Sequence, residues 1–253
     1  MTLRTPRHLK WDDRLPDSDK ETVQNLNLCL DRLNQQRAVE INVAGHFARS
    51  KIAWKLATWQ HALLHRVVAL MDGIAVAWNC RCTLAAMLSA RAFMETVAVL
   101  YDMEAQVRRL LADEDLGGLD AFAQSGSFAA RDPALLEAFP NAVQATSALT
   151  LINKVDKRIP LFRKHYDSLS ERCHPNALGH NFMFGTLDRS SGSVRYCDER
   201  DPAHNGNLIF SPLAILPIVE NLSTRLDILI REVSEFHHRV APVSGLSDQD
   251  GGD

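Results

Sequence analysis

With 253 residues, 46% of them hydrophobic, the chain is long enough for one large domain and too apolar to be disordered. A formal net charge of −3 and a pI near 6.4 exclude a global basic field that would recruit nucleic acid or an anionic membrane, leaving only local patches for such a role. No unbroken run of about 18 apolar residues signals a membrane span, and residues 1–20 lack the apolar segment of a secretory leader.

Residues 1–17 are polar, contain Pro6 and Pro16, and read as an extended arm. Ser18 and Glu21 have capping-box spacing, so a helix is expected from about residue 19, with Val23, Leu26, Leu30 and Leu33 on one face. A break is expected near Gly45, then a second helix from about Ser50 to Asp72. A third runs from about Cys80 to Leu111 and is ended by "DEDLGG". Residues 113–131 read as a looser connection, and Asp132-Pro133 opens a short helix. Two more helices are expected over 141–157 and 160–173, parted by Pro160. "NFMFGTLDRSSGSVRYCDE" has the aromatic and β-branched flanks and the Ser/Gly turn of a hairpin over 182–198. "DERDPAHNGN" reads as a loop. The last helix opens at Ser211-Pro212, with Pro217 able to move its start, and the tail 242–253 is expected to be disordered. No repeat or composition shift divides the chain. The expectation is an all-α fold, a single multi-helix bundle over 18–241 with a small β-hairpin insertion.

Five cysteines, Cys29, Cys80, Cys82, Cys173 and Cys197, are an odd number, and Cys80-x-Cys82 lacks the C-x-x-C spacing of redox and zinc sites. Reduced thiols and a cytoplasmic location are the expectation, with no cofactor.

Three polar groups stand out. On the third helix Arg91, Glu95, Asp102 and Arg109 fall almost in line at about 100° per residue, between the apolar flanks Leu88 and Val99. Such a strip suits a semi-buried ion pair or a guanidinium aimed at an anion. On the second helix His61-x-x-x-His65 has the spacing by which one helix offers two imidazoles to a metal, without the Glu of a zinc-protease motif. In "YDSLSERCHPNALGHN", Tyr166, Ser170 and His174 share one helix side, and Pro175 stops that helix. Asn176 and Gly179 suit the following turn, leaving Arg172, His174 and His180 without a purely local role.

The segments "ARAFMETVAVLYDM" and "YDSLSERCHPN" resemble, as R-x-x-x-E and Y-x-x-L-S-x-x-x-H-P helix motifs, a group of largely uncharacterised bacterial helical proteins. Those in turn resemble HEPN domains, helical bundles that include RNA-cleaving toxins and nucleotide-binding modules. The resemblance covers residues 80–180 and implies a helical bundle. HEPN nucleases place four to six residues between an Arg and a His, usually with a polar residue after the Arg. Arg158 and His165 have six between them, but Ile159-Pro160 follow the Arg; Arg172 and His180 have seven.

Two functional readings follow. In the first, the catalytic residues are Arg91, which holds an anionic substrate (RNA, a nucleotide or another small anion), His174, which acts as general acid or base, and Arg172, which assists, with Glu95, Tyr166, Ser170, Asn176 and His180 as binding residues. In the second, the protein is a non-catalytic binding or interaction homodimer, and the same residues clasp two helices. A metal held by His61, His65 and Glu95 is a third option. The discriminating quantity is the separation of Arg91 from His174.

Overall fold

The computed structural model describes residues 3–45, 50–138 and 143–240. Those residues form an all-α bundle with a small hairpin, as expected. Its centre is a pair of long helices, α2 (Lys51–Asn79) and α3 (Thr83–Ala112), joined by the tight Cys80–Cys82 turn with Arg81 at φ 58°. Around them pack α1 (Lys20–Gln36), α4 (Leu116–Phe128), α6 (Ala148–Asp156), α7 (Phe162–Cys173), α9 (Pro202–Leu213) and α10 (Leu216–Val240). The short α5 (Pro133–Ala138) lies between β1 (Ala129–Ala130) and β2 (Val143–Gln144), which pair in parallel. The turn of helix α8 (Asn181–Phe184) leads into the antiparallel hairpin of β3 (Gly185–Asp188) and β4 (Ser193–Tyr196).

Helix α3 is buried on several sides: Met87, Phe93, Met94, Val97, Leu100, Met103 and Val107 are all fully buried. It touches α2, α4, α6, α7, α9 and α10. That explains a composition apolar enough for a membrane. Windows of 18 residues reach mean hydropathy 1.2 in α2 and 1.4 in α3, and 50% and 56% of them are buried in the bundle. Neither window is an unbroken apolar run, since polar side chains interrupt both.

Several boundaries differ from expectation, each for a local reason. Residues 17–19 form one 3₁₀ turn, so Asp19 is already helical (φ −91°, ψ −1°) and the Ser18 capping box does not form. Helix α2 continues through Asp72-Gly73 to Asn79, because Ile74, Ala75 and Trp78 carry its buried face on past Asp72. Residues 116–128 are helical, with Asp115 accepting from the Gly118 N–H at 2.8 Å. Gly126 is required there, since a Cβ would come within 2.2 Å of the Trp59 ring. The helix expected from 141 begins at Ala148, after an extended Ser147. The expected loop at 198–207 is largely α9: Asp201 accepts from the His204 N–H and Pro202 takes the first turn. Pro212 lies inside α9, and the last helix starts at Leu216-Pro217. The expected break near Gly45 is a turn, its N–H bonded to the Asn42 carbonyl. The expected disordered tail, 242–253, lies outside the described residues.

The N-terminal arm is extended, as read, but it is also packed. Leu9 and Leu15 are buried, and side chains of α1 and α2 hydrogen-bond its backbone as a neighbouring strand would. Asn27 pairs with both the N–H and the C=O of Leu9 at 2.9 Å. Asn79 accepts from the Lys10 N–H and donates to the His8 carbonyl, and Trp78 donates to the Lys10 carbonyl at 2.8 Å. Buried Asp72 accepts from the Arg7 N–H and pairs with Arg4. At the end of this strap Arg14 is almost wholly buried. Its guanidinium stacks 3.5 Å over the Trp78 ring and donates to the Trp78 carbonyl and to Asp12.

Removing Asn27 strands both polar groups of a buried backbone unit. Asn27→Ala should therefore lower unfolding free energy by roughly 1–3 kcal/mol in urea titration, whereas exposed Asn25→Ala should stay within about 0.5 kcal/mol of wild type. Equal effects would show that the strap contributes nothing specific.

Candidate functional site

Phe162, Tyr166 and Leu169 are the buried residues of α7, spaced i, i+4, i+7. That stripe seats α7 on α3 and brings Tyr166 to Arg91 and Glu95, which lie one turn apart. The Tyr166 hydroxyl donates to Glu95 Oε1 at 2.8 Å and accepts from Arg91 Nη2 at 3.3 Å. The Arg91 guanidinium carbon lies 5.5 Å from the Tyr166 ring centre, and Arg91 Nε is 3.7 Å from Glu95 Oε1. The Arg91 and Glu95 side chains are only 28% and 32% exposed, as a charged strip between apolar flanks requires. Burial opposes the Arg91 charge, but the Tyr166 hydrogen bond and the nearby Glu95 carboxylate hold its pKa above the ordinary arginine value. Burial pushes the Cys173 thiol up against the pull of Arg91, so Cys173 is not an activated thiolate.

The other candidates lie elsewhere on α7 and beyond it. Ser170, one turn past Tyr166, has a buried hydroxyl without a hydrogen-bond partner among the described residues, and the same holds for Arg91 Nε. His174 ends α7 with extended backbone (φ −84°, ψ 147°) and an exposed ring that has no hydrogen-bond partner among the described residues. Arg172 approaches the Leu178 carbonyl at 3.5 Å and lines a groove with Arg163, Asp167 and His204. Asn176 accepts from the N–H groups of Leu178 and Gly179 and donates to Glu171, so it builds the loop. His180 Nδ1 accepts from the Asn181 N–H and caps α8. The structure thus joins Arg91, Glu95 and Tyr166, with Ser170 on the next turn, and gives Arg172, His174, Asn176 and His180 separate surroundings. Arg158 and His165 line different grooves and form no pair.

His61 and His65 do a backbone job. His61 Nδ1 accepts from the Ala38 N–H at 3.2 Å, and His65 Nε2 donates to the Ala38 carbonyl at 2.9 Å while Nδ1 accepts from Arg37. Together they hold the chain after α1 against α2. Glu95 is engaged with Tyr166, and among the described residues no three His, Cys, Asp or Glu side chains gather as a metal site.

A polar centre that sequence reading missed joins Arg14 to Glu199, whose carboxylate accepts from the Thr83 hydroxyl at 2.7 Å and from Asn205 at 3.4 Å. These residues come from three distant segments, the N-terminal strap, the start of α3 and residues 199–205, so no spacing announces them. No family model, curated protein or solved structure matches this chain.

Two outcomes follow. Arg91→Ala removes the donor to the Tyr166 hydroxyl and the cation beside the Glu95 carboxylate and should cost roughly 1–3 kcal/mol of stability, while His174→Ala should shift it by less than about 0.5 kcal/mol; chemical denaturation reads both. Burial, the largest influence, holds the His61 pKa below the ordinary value of 6.5. The unfolded chain therefore takes up a proton that folded His61 resists, and stability falls as pH drops below 6.5. His61→Asn should flatten the pH dependence of the thermal midpoint between about 7.5 and 5.5; an unchanged slope would contradict the assignment.

Proposed function

We propose that this chain is a non-catalytic binding protein in which Arg91, Glu95 and Tyr166 clasp α7 to α3. The observation that carries this reading is the Tyr166 hydroxyl, which uses its proton on Glu95 and its acceptor on Arg91. A general acid or base must reach the substrate that the anion-binding residue holds. His174 stands in solvent at the helix end with no bond to that trio, and Arg172 is turned to another groove. The trio therefore supports a structural role better than cleavage or binding of RNA, a nucleotide or a small anion at Arg91.

The hairpin favours action as a pair of copies. Gly185, Leu187, Val194 and Tyr196 share one face by register, and Leu187, Val194 and Tyr196 are 57%, 47% and 74% exposed. Thr186, Asp188, Ser193 and Arg195 form the polar opposite face. A second copy offers the same apolar face, so face-to-face self-association covers Leu187, Val194 and Tyr196 on both copies. Light scattering on the purified chain should give twice the monomer mass, and Leu187→Ser with Tyr196→Ser should return it to monomer without loss of helicity. A monomeric wild-type chain at about 100 µM, far above the Kd of a stable pair, would overturn the paired reading.

A further inference from the structure

A groove of about 530 Å³ opens where the second half of α3 meets the end of α6 and the middle of α10. Its cations are Arg108, Lys154, Lys157, Arg158 and Arg225, and its carboxylates are Asp102 and Glu104: five positive groups against two negative ones in a chain of net charge −3. We propose that this groove binds a compact oligophosphate, a chain of two or three linked phosphoryl groups.

The arrangement of the two carboxylates is the argument. Glu104 is 9% exposed and pairs with both Arg108 and Arg225, the latter at 3.1 Å. Asp102 is 17% exposed and accepts from Lys154 Nζ at 2.7 Å. The acids lie deep and hold three cationic heads that are themselves 44–58% exposed. A single carboxylate shared by two guanidiniums neutralises only one of them, so an excess charge stays fixed in place. Lys157 and Arg158 are exposed and have no ion-pair or hydrogen-bond partner for their side chains among the described residues. The groove thus presents a net charge of +3, part of it already oriented by buried acceptors, which reduces the ordering cost of binding.

The end of α6 gives a local reason for cations at Lys154, Lys157 and Arg158, because a helix C-terminus favours positive charge. It gives none for Arg108 and Arg225, which come from α3 and α10 to the same opening. A volume of 530 Å³ is that of a small-molecule site. The cations converge on one opening and do not form the extended track that follows a nucleic-acid backbone. Three to four negative charges on linked phosphates match both the charge and the size.

The test is isothermal titration of the full chain with sodium tripolyphosphate and, separately, with a nucleoside triphosphate, both without metal at low ionic strength. The expected result is one saturable site that weakens with salt, and that Lys157→Glu with Arg158→Glu weakens by roughly tenfold or more while the thermal midpoint stays unchanged. Equal affinity for the two ligands assigns all recognition to phosphate; tighter nucleotide binding adds a contact from the Tyr101 side of the groove. Absence of saturable binding, binding unchanged in the double variant, or binding of single-stranded RNA without any of tripolyphosphate would overturn the proposal. None of these outcomes bears on the α3–α7 clasp, which shares no side chain with the groove.

Discussion

Packing on α3 is the constraint from which the rest of the structure follows. Packed among the described residues against α2, α4, α6, α7, α9 and α10, α3 has little surface left for water, so its semi-buried charges are matched by residues on those neighbours. The Arg91–Glu95 pair is met by Tyr166 of α7, Asp102 by Lys154 of α6, and Glu104 by Arg225 of α10. Each is a semi-buried polar contact inside an apolar seam, and each fixes which helix lies where. The apolar contacts supply the driving force; the polar ones select the arrangement, because a shifted helix would leave a charge without its partner.

The same logic governs the N-terminal strap. An extended segment outside any sheet must satisfy its backbone groups with side chains. Asn27, Asn79 and Trp78 perform that task on a stretch of three residues, His8 to Lys10. Gly206 then lets α9 close over the strap, since a Cβ there would lie 2.9 Å from the Arg14 carbonyl. The strap belongs to the core's closure even though its composition is that of a polar tail.

Much of the helical order was legible because the periodic apolar residues are long-range consistent: Val23, Leu26, Leu30 and Leu33 are all buried on α1, as are Val219, Leu222, Leu226, Leu229, Val233 and Phe236 on α10. Asp132-Pro133 and Asp201-Pro202 carry the same helix-start signal, and a helix follows each. The polar "AHNGN" after the second obscured buried Asn205 and Gly206, whose place depends on Arg14, far away in sequence. The semi-buried nature of the Arg91–Glu95 strip followed from its apolar flanks. Its partner did not, because the i, i+4, i+8 row of Tyr166, Ser170 and His174 says which side of α7 they share and not where α7 stops covering them. Tyr166 is inside and His174 is outside. The basic groove was illegible for the same reason: its cations come from three helices.

The clasp and the proposed groove lie on different stretches of α3 and are independent of one another. The α3–α7 clasp is the more basic claim, since the non-catalytic reading depends on it. The most direct measurement is a double-mutant cycle in urea with Arg91→Ala, Tyr166→Phe and the combination. The account predicts a coupling energy of about 1 kcal/mol or more between the two sites. Additive effects, agreeing within about 0.3 kcal/mol, would contradict it.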